Sequence, residues 1–274
     1  MIDPVLYANH NSLQTRDARY VVDHYFHRLK WRSRENILDV GTGDGQVLFE
    51  IALPRVPSDF QKLVAVDIDE DMLSHARSRC KNYSNVELLQ LDIATKNLPG
   101  RLRANFDHVL SFYCLQLVKE QRKAFENLFE LLKPGGEILL TVISNHLVFD
   151  VYEKLSTLKR WQPFMANFGD VGPYNRSVDA VQEVEGTLQD VGFVEYKCEL
   201  INAHHINDFD EFWLWASAVN PFIKKISKEE MGQYKEDYMN EVRKHRRVTI
   251  KMKNGKEDTI RVDYQFLVVF ATKP

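Results

Sequence analysis

The clearest chemistry in this chain belongs to acids that end apolar runs, the first of them followed by closely spaced glycines. Asp39 closes the run Ile37-Leu38-Asp39-Val40 and leads into Gly41, Gly43 and Gly45. Residues without a Cβ let a turn bring backbone N–H groups against a ligand, some of them at positive φ. A dinucleotide fingerprint, G-x-G-x-x-G, would require glycine at position 46, and the chain has Gln46 there. A carboxylate at Asp39 would also repel a pyrophosphate, whereas it can accept from an amino group. Asp67 ends the apolar run Leu63-Val64-Ala65-Val66, where an acid can accept from both hydroxyls of a ribose, and Asp92 follows Val86–Leu91. The residues therefore describe a nucleoside cofactor bearing an amino group, and they disfavour a nicotinamide dehydrogenase.

The spacing Asp39-x-Gly41-x-Gly43-x-Gly45 resembles the first motif of class I S-adenosylmethionine-dependent methyltransferases. That resemblance implies S-adenosylmethionine as cofactor and S-adenosylhomocysteine as product. It implies that Asp39, Gly41, Gly43, Asp67 and Ile68 bind the cofactor, Asp39 at the amino group of its methionine part and Asp67 at the ribose hydroxyls. Asp92 and Ile93 would meet the adenine, and Ser111 would lie beside the methionine part. Three further segments, Leu6–Ala18, Ser111-Phe112-Tyr113-Cys114-Leu115 and Asp190-Val191-Gly192-Phe193, are similar to the insect juvenile hormone acid O-methyltransferase family. The likeness runs over nearly the whole chain, and the glycine motif and Asn-Ser-Leu-Gln-x-Arg-Asp are its distinctive parts. It implies methylation of the carboxyl group of a hydrophobic acid resembling juvenile hormone acid or farnesoic acid. By motif match, Gln14 would touch cofactor and substrate, and Arg16 would pair with the methionine carboxylate.

The chain departs from that family at one position: Leu117 follows Gln116 where the family has Trp. Leucine has no indole N–H to orient a carboxylate, and one hydrogen bond to a charged group is worth about 1.5–3 kcal/mol. Two alternatives therefore stand beside the main reading: a weak or inactive paralogue that binds S-adenosylmethionine and a hydrophobic ligand, and a methyltransferase for another small apolar acid. The reaction itself asks for positioning and no general base, because a carboxylate is already ionised near neutral pH. Gln14 and Gln116 are the candidates that steer it, through amide donors. No histidine has a spacing that marks it as base or ligand, and His204-His205 reads as a surface pair at a strand end.

These residues need a scaffold, and residues 35–144 alternate strand and helix patterns without interruption, the mark of a parallel sheet with right-handed crossovers. The expected fold is α/β, a Rossmann-like, doubly wound, seven-stranded sheet, mostly parallel with an antiparallel last strand, carrying helical lid insertions. The expected domain organisation is one methyltransferase domain over 1–274. Within it lie an N-terminal helical cover (1–34), a cofactor-binding core (35–144), helical lid segments (145–176 and 203–245), and a hairpin with the last strand (246–274). Ser12 caps the expected first helix, whose apolar stripe includes Leu13, Val21, Val22 and Tyr25. Val191–Leu200 reads as a sixth strand, and Asn254-Gly255 as a type I′ hairpin turn. The two lid segments are rich in aromatics, among them Tyr152, Trp161, Phe212, Trp213 and Trp215. Most of these are expected to be ordinary packing, the remainder lining an apolar pocket.

Length and charge are consistent with that scaffold. The 274 residues can bury a large core, and a net charge of -3 gives no basic field for nucleic acid or an anionic membrane surface. Cys80, Cys114 and Cys198 lack metal-ligand spacing and read as buried free thiols in a reducing compartment. No run approaches the ~18 apolar residues of a membrane span, and the start lacks a basic segment followed by an apolar core. A soluble, cytoplasmic protein with no metal is expected, with a homodimer as a further expectation.

Overall fold

The computed structural model describes residues 3–274. Its strands are β1 (Asn36–Val40), β2 (Lys62–Asp67), β3 (Val86–Gln90), β4 (Phe106–Phe112), β5 (Leu132–Asn145), β6 (Val194–Asp208), β7 (Val248–Lys253) and β8 (Lys256–Thr272). Its α-helices are α1 (Pro4–Asn9), α2 (Ser12–Tyr25), α3 (Glu70–Cys80), α4 (Gln121–Leu131), α5 (Leu147–Thr157), α6 (Ala180–Val191), α7 (Phe209–Ala218) and α8 (Met231–Lys244). Two compact units are formed. A sheet unit comprises Ser12–Val142, Ser177–Leu200 and Leu267–Pro274, and an aromatic unit comprises residues 3–11, Ile143–Arg176 and Ile201–Phe266.

The strand order is β3-β2-β1-β4-β5-β8-β6, with β7 pairing to β8 off that path. Pairs β1–β2, β2–β3, β1–β4 and β4–β5 are parallel. At the far end of β8 the direction is antiparallel to β5, since Gly135 N donates to Lys273 O and Lys273 N donates to Gly136 O, both at 2.8 Å. This is the Rossmann-like doubly wound arrangement, and the strand order reverses between β1 and β4. Continuous apolar runs build the parallel strands because both faces are covered: Leu63, Val64, Ala65 and Val66 are fully buried. At the feet of β4 and β5 a buried histidine ties the sheet together. His108 Nε2 lies 3.0 Å from Glu35 Oε2 and His108 Nδ1 3.5 Å from Glu137 Oε2.

Helix α2 presents Leu13, Gln14, Asp17, Ala18, Val21, Val22 and Tyr25 as its buried stripe, so two polar residues interrupt an otherwise apolar face. Its far end is fixed by Glu199 on β6, which accepts from Tyr25 Oη at 2.7 Å and from Arg28 at 2.8 Å. Ser12 is the first residue of the helix, so the cap position falls on Asn11, one residue earlier than the sequence suggests.

Larger differences lie downstream. Val191 ends α6, where Asp179 caps the start by accepting from Gln182 N and Gly192, at φ 106°, stops it. The sixth strand therefore begins at Val194, and it continues to Asp208 through residues read as the start of a helical lid. His205 is buried against Trp215, with ring centroids 5.3 Å apart, and is not part of a surface pair. All three cysteines are unbridged; Cys198 is buried, while Cys80 and Cys114 are only partly so.

The aromatics of the second unit are spent mainly on its own core. Trp161 is fully buried, its ring 5.2 Å from Tyr234 and its indole N–H donating to Asp237 Oδ2 at 2.8 Å. Tyr152 packs on Phe222, and Trp213 on Tyr238. The turn between β7 and β8 has Asn254 at φ 51° and Gly255 at φ 75°. His146 caps α5, its Nδ1 accepting from Val148 N at 3.2 Å, and is fully buried. Burial, aided by the electrostatic influence of His205, His245 and Arg247, pushes its pKa from 6.5 down to about 3. The unfolded chain thus takes up a proton at this residue below pH 6.5 while the folded chain does not, so His146 makes stability fall as pH falls from 6.5 towards 3. His146→Asn keeps a capping acceptor and removes the titration. In thermal melts it is expected to be less stable than wild type at pH 7, with a shallower loss of stability between pH 6.5 and 4.

Candidate functional site

The carboxyl ends of β1 to β4 gather the acids read from the sequence, at the point where the strand order reverses. Asp39 is opposite Ala65 and Leu110 in the register, and Asp67 is opposite Gln90. The loop after β1 is fixed to β2 by Gly41 N and Thr42 N, which donate to Val66 O at 2.8 and 3.0 Å. Gly41 needs glycine twice over. Its φ is 75°, and a Cβ there would overlap the Cβ and Sγ of Cys114.

Asp67 is the clasp of this loop. Its Oδ2 accepts from Gly43 N and its Oδ1 from Asp69 N, both at 2.9 Å. Even so, burial raises its pKa above the ordinary value. Asp39 is 3% exposed, and burial, with Asp67 close by, pushes its pKa from 3.8 up to about 7. A buried carboxyl at Asp39 and a half-buried one at Asp67, both with raised pKa, fit a ligand that brings positive charge and hydrogen-bond donors, and an amino-bearing nucleoside is such a ligand. It does not fit a pyrophosphate.

The other candidates are placed as follows. Asp92 is exposed just after β3 and accepts from Ala94 N at 2.8 Å. Ile93 is buried, and its carbonyl accepts from Asn127 Nδ2 at 2.7 Å. Ile68 is 64% exposed, a large apolar side chain open to solvent beside Asp67. Ser111 is buried and donates its hydroxyl to Val40 O at 2.8 Å, tying β4 to β1. Gln14 and Gln116 are both buried, and the side-chain Oε1 of each has no hydrogen-bond partner. Gln116 Nε2 donates to Tyr113 O. Arg16 pairs with Asp17 at 2.8 Å. Leu117 is 39% exposed.

Several supporting residues carry no signal in the sequence reading. Asp44 is buried and accepts from Gln46 N at 3.2 Å and from Arg79 at 3.3 Å, bracing the helical segment after the glycine loop. Asn127 on α4 holds the loop after β3 through the carbonyls of Ile93 and Thr95. Tyr113 stands at the end of β4 with φ 55°, rare for a residue with a bulky side chain. Its N–H reaches Thr141 O and Thr141 Oγ1, each at 3.1 Å. Burial, together with the carboxyls of Asp67 and Asp39, pushes the Cys114 thiol far up, which leaves it no thiolate character as a nucleophile. Among the described residues no cluster of His, Cys, Asp and Glu is placed to hold a metal, and no helix is long and apolar enough to cross a membrane.

Residues 32–212 match the family model described as a methyltransferase domain. A juvenile hormone acid O-methyltransferase of Bombyx mori is 32% identical, covering 98% of this chain and 96% of its own. The enzyme of that description from Drosophila melanogaster is 30% identical, covering 98% and 91%. Among solved structures, a Bacillus halodurans methyltransferase of inferred activity superposes with a TM-score of 0.60 at 21% identity, over 92% of this chain and 98% of that one. That last likeness bears on the fold alone.

The raised pKa of Asp39 has a measurable consequence. Below pH 3.8 the acid is neutral folded or unfolded, and its contribution is lost as pH rises through about 7, where the buried group must ionise. Asp39→Asn is expected to melt higher relative to wild type at pH 8 than at pH 5. An equal difference at both pH values would show that Asp39 is not a strained acid.

Proposed function

We propose that this chain, which belongs to the juvenile hormone acid O-methyltransferase family, esterifies the carboxyl group of a hydrophobic, sesquiterpenoid-like acid. It is an S-adenosylmethionine-dependent O-methyltransferase. When bound, the cofactor supplies an electrophilic methyl group. Asp39 accepts from the amino group of the cofactor's methionine part, and the loop at Gly41 and Gly43, whose own N–H groups are held by Val66 O and Asp67, lies against that part, with Ser111 holding the strand ends in register. Asp67 accepts from the ribose hydroxyls with the lone pairs left after its two backbone bonds, and Ile68 covers the ribose side. Asp92 and the backbone of Ile93 receive the adenine.

The observation that carries the acid-acceptor reading is that both amides assigned to it, Gln14 and Gln116, are buried. An amide presents two N–H donors, and Gln116 gives one to Tyr113 O, so a second remains to orient a carboxylate. A carboxylate oxygen is ionised before it arrives, so the residues need only hold it in line with the methyl carbon and keep water away. A phenol or amine acceptor would need a proton removed. Leu117 supports a second reading: it offers no donor, and its exposure fits a binder that turns over slowly or not at all.

The test is incubation of the purified protein with S-adenosylmethionine and a panel of farnesoic-type and fatty acids, following S-adenosylhomocysteine and the methyl ester together. Equimolar ester and S-adenosylhomocysteine are expected with a sesquiterpenoid acid. Gln14→Ala and Gln116→Ala should each lower kcat by about 10- to 100-fold, the loss of one hydrogen bond to a charged group, while cofactor affinity holds within about twofold. Tight binding of both ligands without ester would favour the second reading.

A further inference from the structure

Asp17 sits one helical turn after Gln14, and each of its carboxylate oxygens is engaged by a different part of the sheet unit. Oδ1 accepts from Arg16 Nε at 2.9 Å and from an Arg16 terminal nitrogen at 2.8 Å, while Oδ2 accepts from the Tyr113 phenol at 2.7 Å. The Asp17 side chain is 5% exposed against 44% for Arg16, so a buried acid anchors a half-exposed cation.

Two features distinguish this from ordinary surface pairing. Consecutive residues of a helix do not face each other, so an Arg16–Asp17 contact requires the guanidinium to fold back along the helix instead of extending into water. The group that fixes the other oxygen is also under constraint. Tyr113 holds a left-handed backbone at φ 55°, its carbonyl receives Gln116, and the residue after it packs against Gly41. Asp17 thus joins Arg16 to the strand end that shapes the cofactor loop.

We propose that Asp17 is a positioning residue that holds the Arg16 guanidinium ready for the carboxylate of the cofactor's methionine part, and that the Tyr113 phenol keeps Asp17 in place. This rests on the reading of Arg16 as the partner of that carboxylate. A guanidinium has five N–H donors, more than one carboxylate can take, so it can bridge Asp17 and a ligand carboxylate. Fixing a long, rotamer-rich side chain before the ligand arrives removes an ordering cost that would otherwise weaken binding.

The test compares two ligands by calorimetry on the full chain. S-adenosylhomocysteine carries the amino-acid part, and 5′-methylthioadenosine shares its nucleoside and thioether without it. Arg16→Ala is expected to weaken S-adenosylhomocysteine about tenfold and to leave methylthioadenosine within about twofold. Asp17→Asn should show the same selectivity with a loss of about fivefold, Tyr113→Phe a loss of about threefold, and the Arg16→Ala/Asp17→Asn double variant should bind no worse than Arg16→Ala alone. The inference is overturned if Asp17→Asn weakens both ligands equally, leaves S-adenosylhomocysteine unaffected, or adds its loss to that of Arg16→Ala. An inert Arg16→Ala would remove the reading of Arg16 and the role of Asp17 together, whereas an effect at Arg16 without one at Asp17 would remove only the latter. Should Asp17→Asn fail to fold, Tyr113→Phe decides by the same selectivity.

Discussion

Asp39 and Asp67 lie at the ends of neighbouring parallel strands, and the fold buries the first and half-buries the second. Burying a carboxylate is costly unless hydrogen bonds or an opposite charge compensate it, and here compensation is incomplete. Asp67 has the N–H groups of Gly43 and Asp69, which is why it can serve as the clasp of the glycine loop. Asp39 is left near half-ionised at neutral pH, with its pKa at about 7. The parallel register brings the two acids to one edge: β1 and β2 run side by side to the same end of the sheet, next to the reversal of strand order between β1 and β4. The deficit of positive charge at this edge is a binding property built into the backbone.

Around that edge the protein is held stiff by contacts that each serve more than one element. Tyr113 is the densest of them, with its N–H on Thr141, its carbonyl on Gln116, its phenol on Asp17 and its successor Cys114 against Gly41. A strained backbone at a strand end persists only where its surroundings determine it so fully, and such residues gather at functional sites. The chain belongs to the juvenile hormone acid O-methyltransferase family.

The parts of this architecture that were legible in the sequence are local ones. A strand that runs into an acid and then glycines is written in consecutive residues, so Asp39, Gly41, Gly43 and Asp67 stand out without any knowledge of the fold. Helix α6 carried equally local signals, Asp179 at its start and Gly192 at its end, but the apolar run through Val191 and Phe193 masked them as a strand. Strand β6 runs to Asp208 with an alternating, half-exposed pattern that continuous-run reasoning does not detect, and His205 falls on its buried side. Asn127, Asp44 and Asp17 act across long sequence separations, and the left-handed backbone of Tyr113 has no marker in a tyrosine. The aromatics were visible, but whether a ring packs in a core or lines a pocket depends on neighbours such as Tyr234 and Phe222 that only the tertiary structure supplies.

The central claim is that positive charge on the ligand completes the ionisation of Asp39, and calorimetry of S-adenosylhomocysteine binding at pH 6.5, in buffers of differing ionisation enthalpy, tests it most directly. The account predicts net release of protons on binding and an affinity that increases as pH rises from 6 to 8, both lost in Asp39→Asn. Binding without proton release and with an affinity independent of pH, or no binding at all by the folded protein, would contradict it.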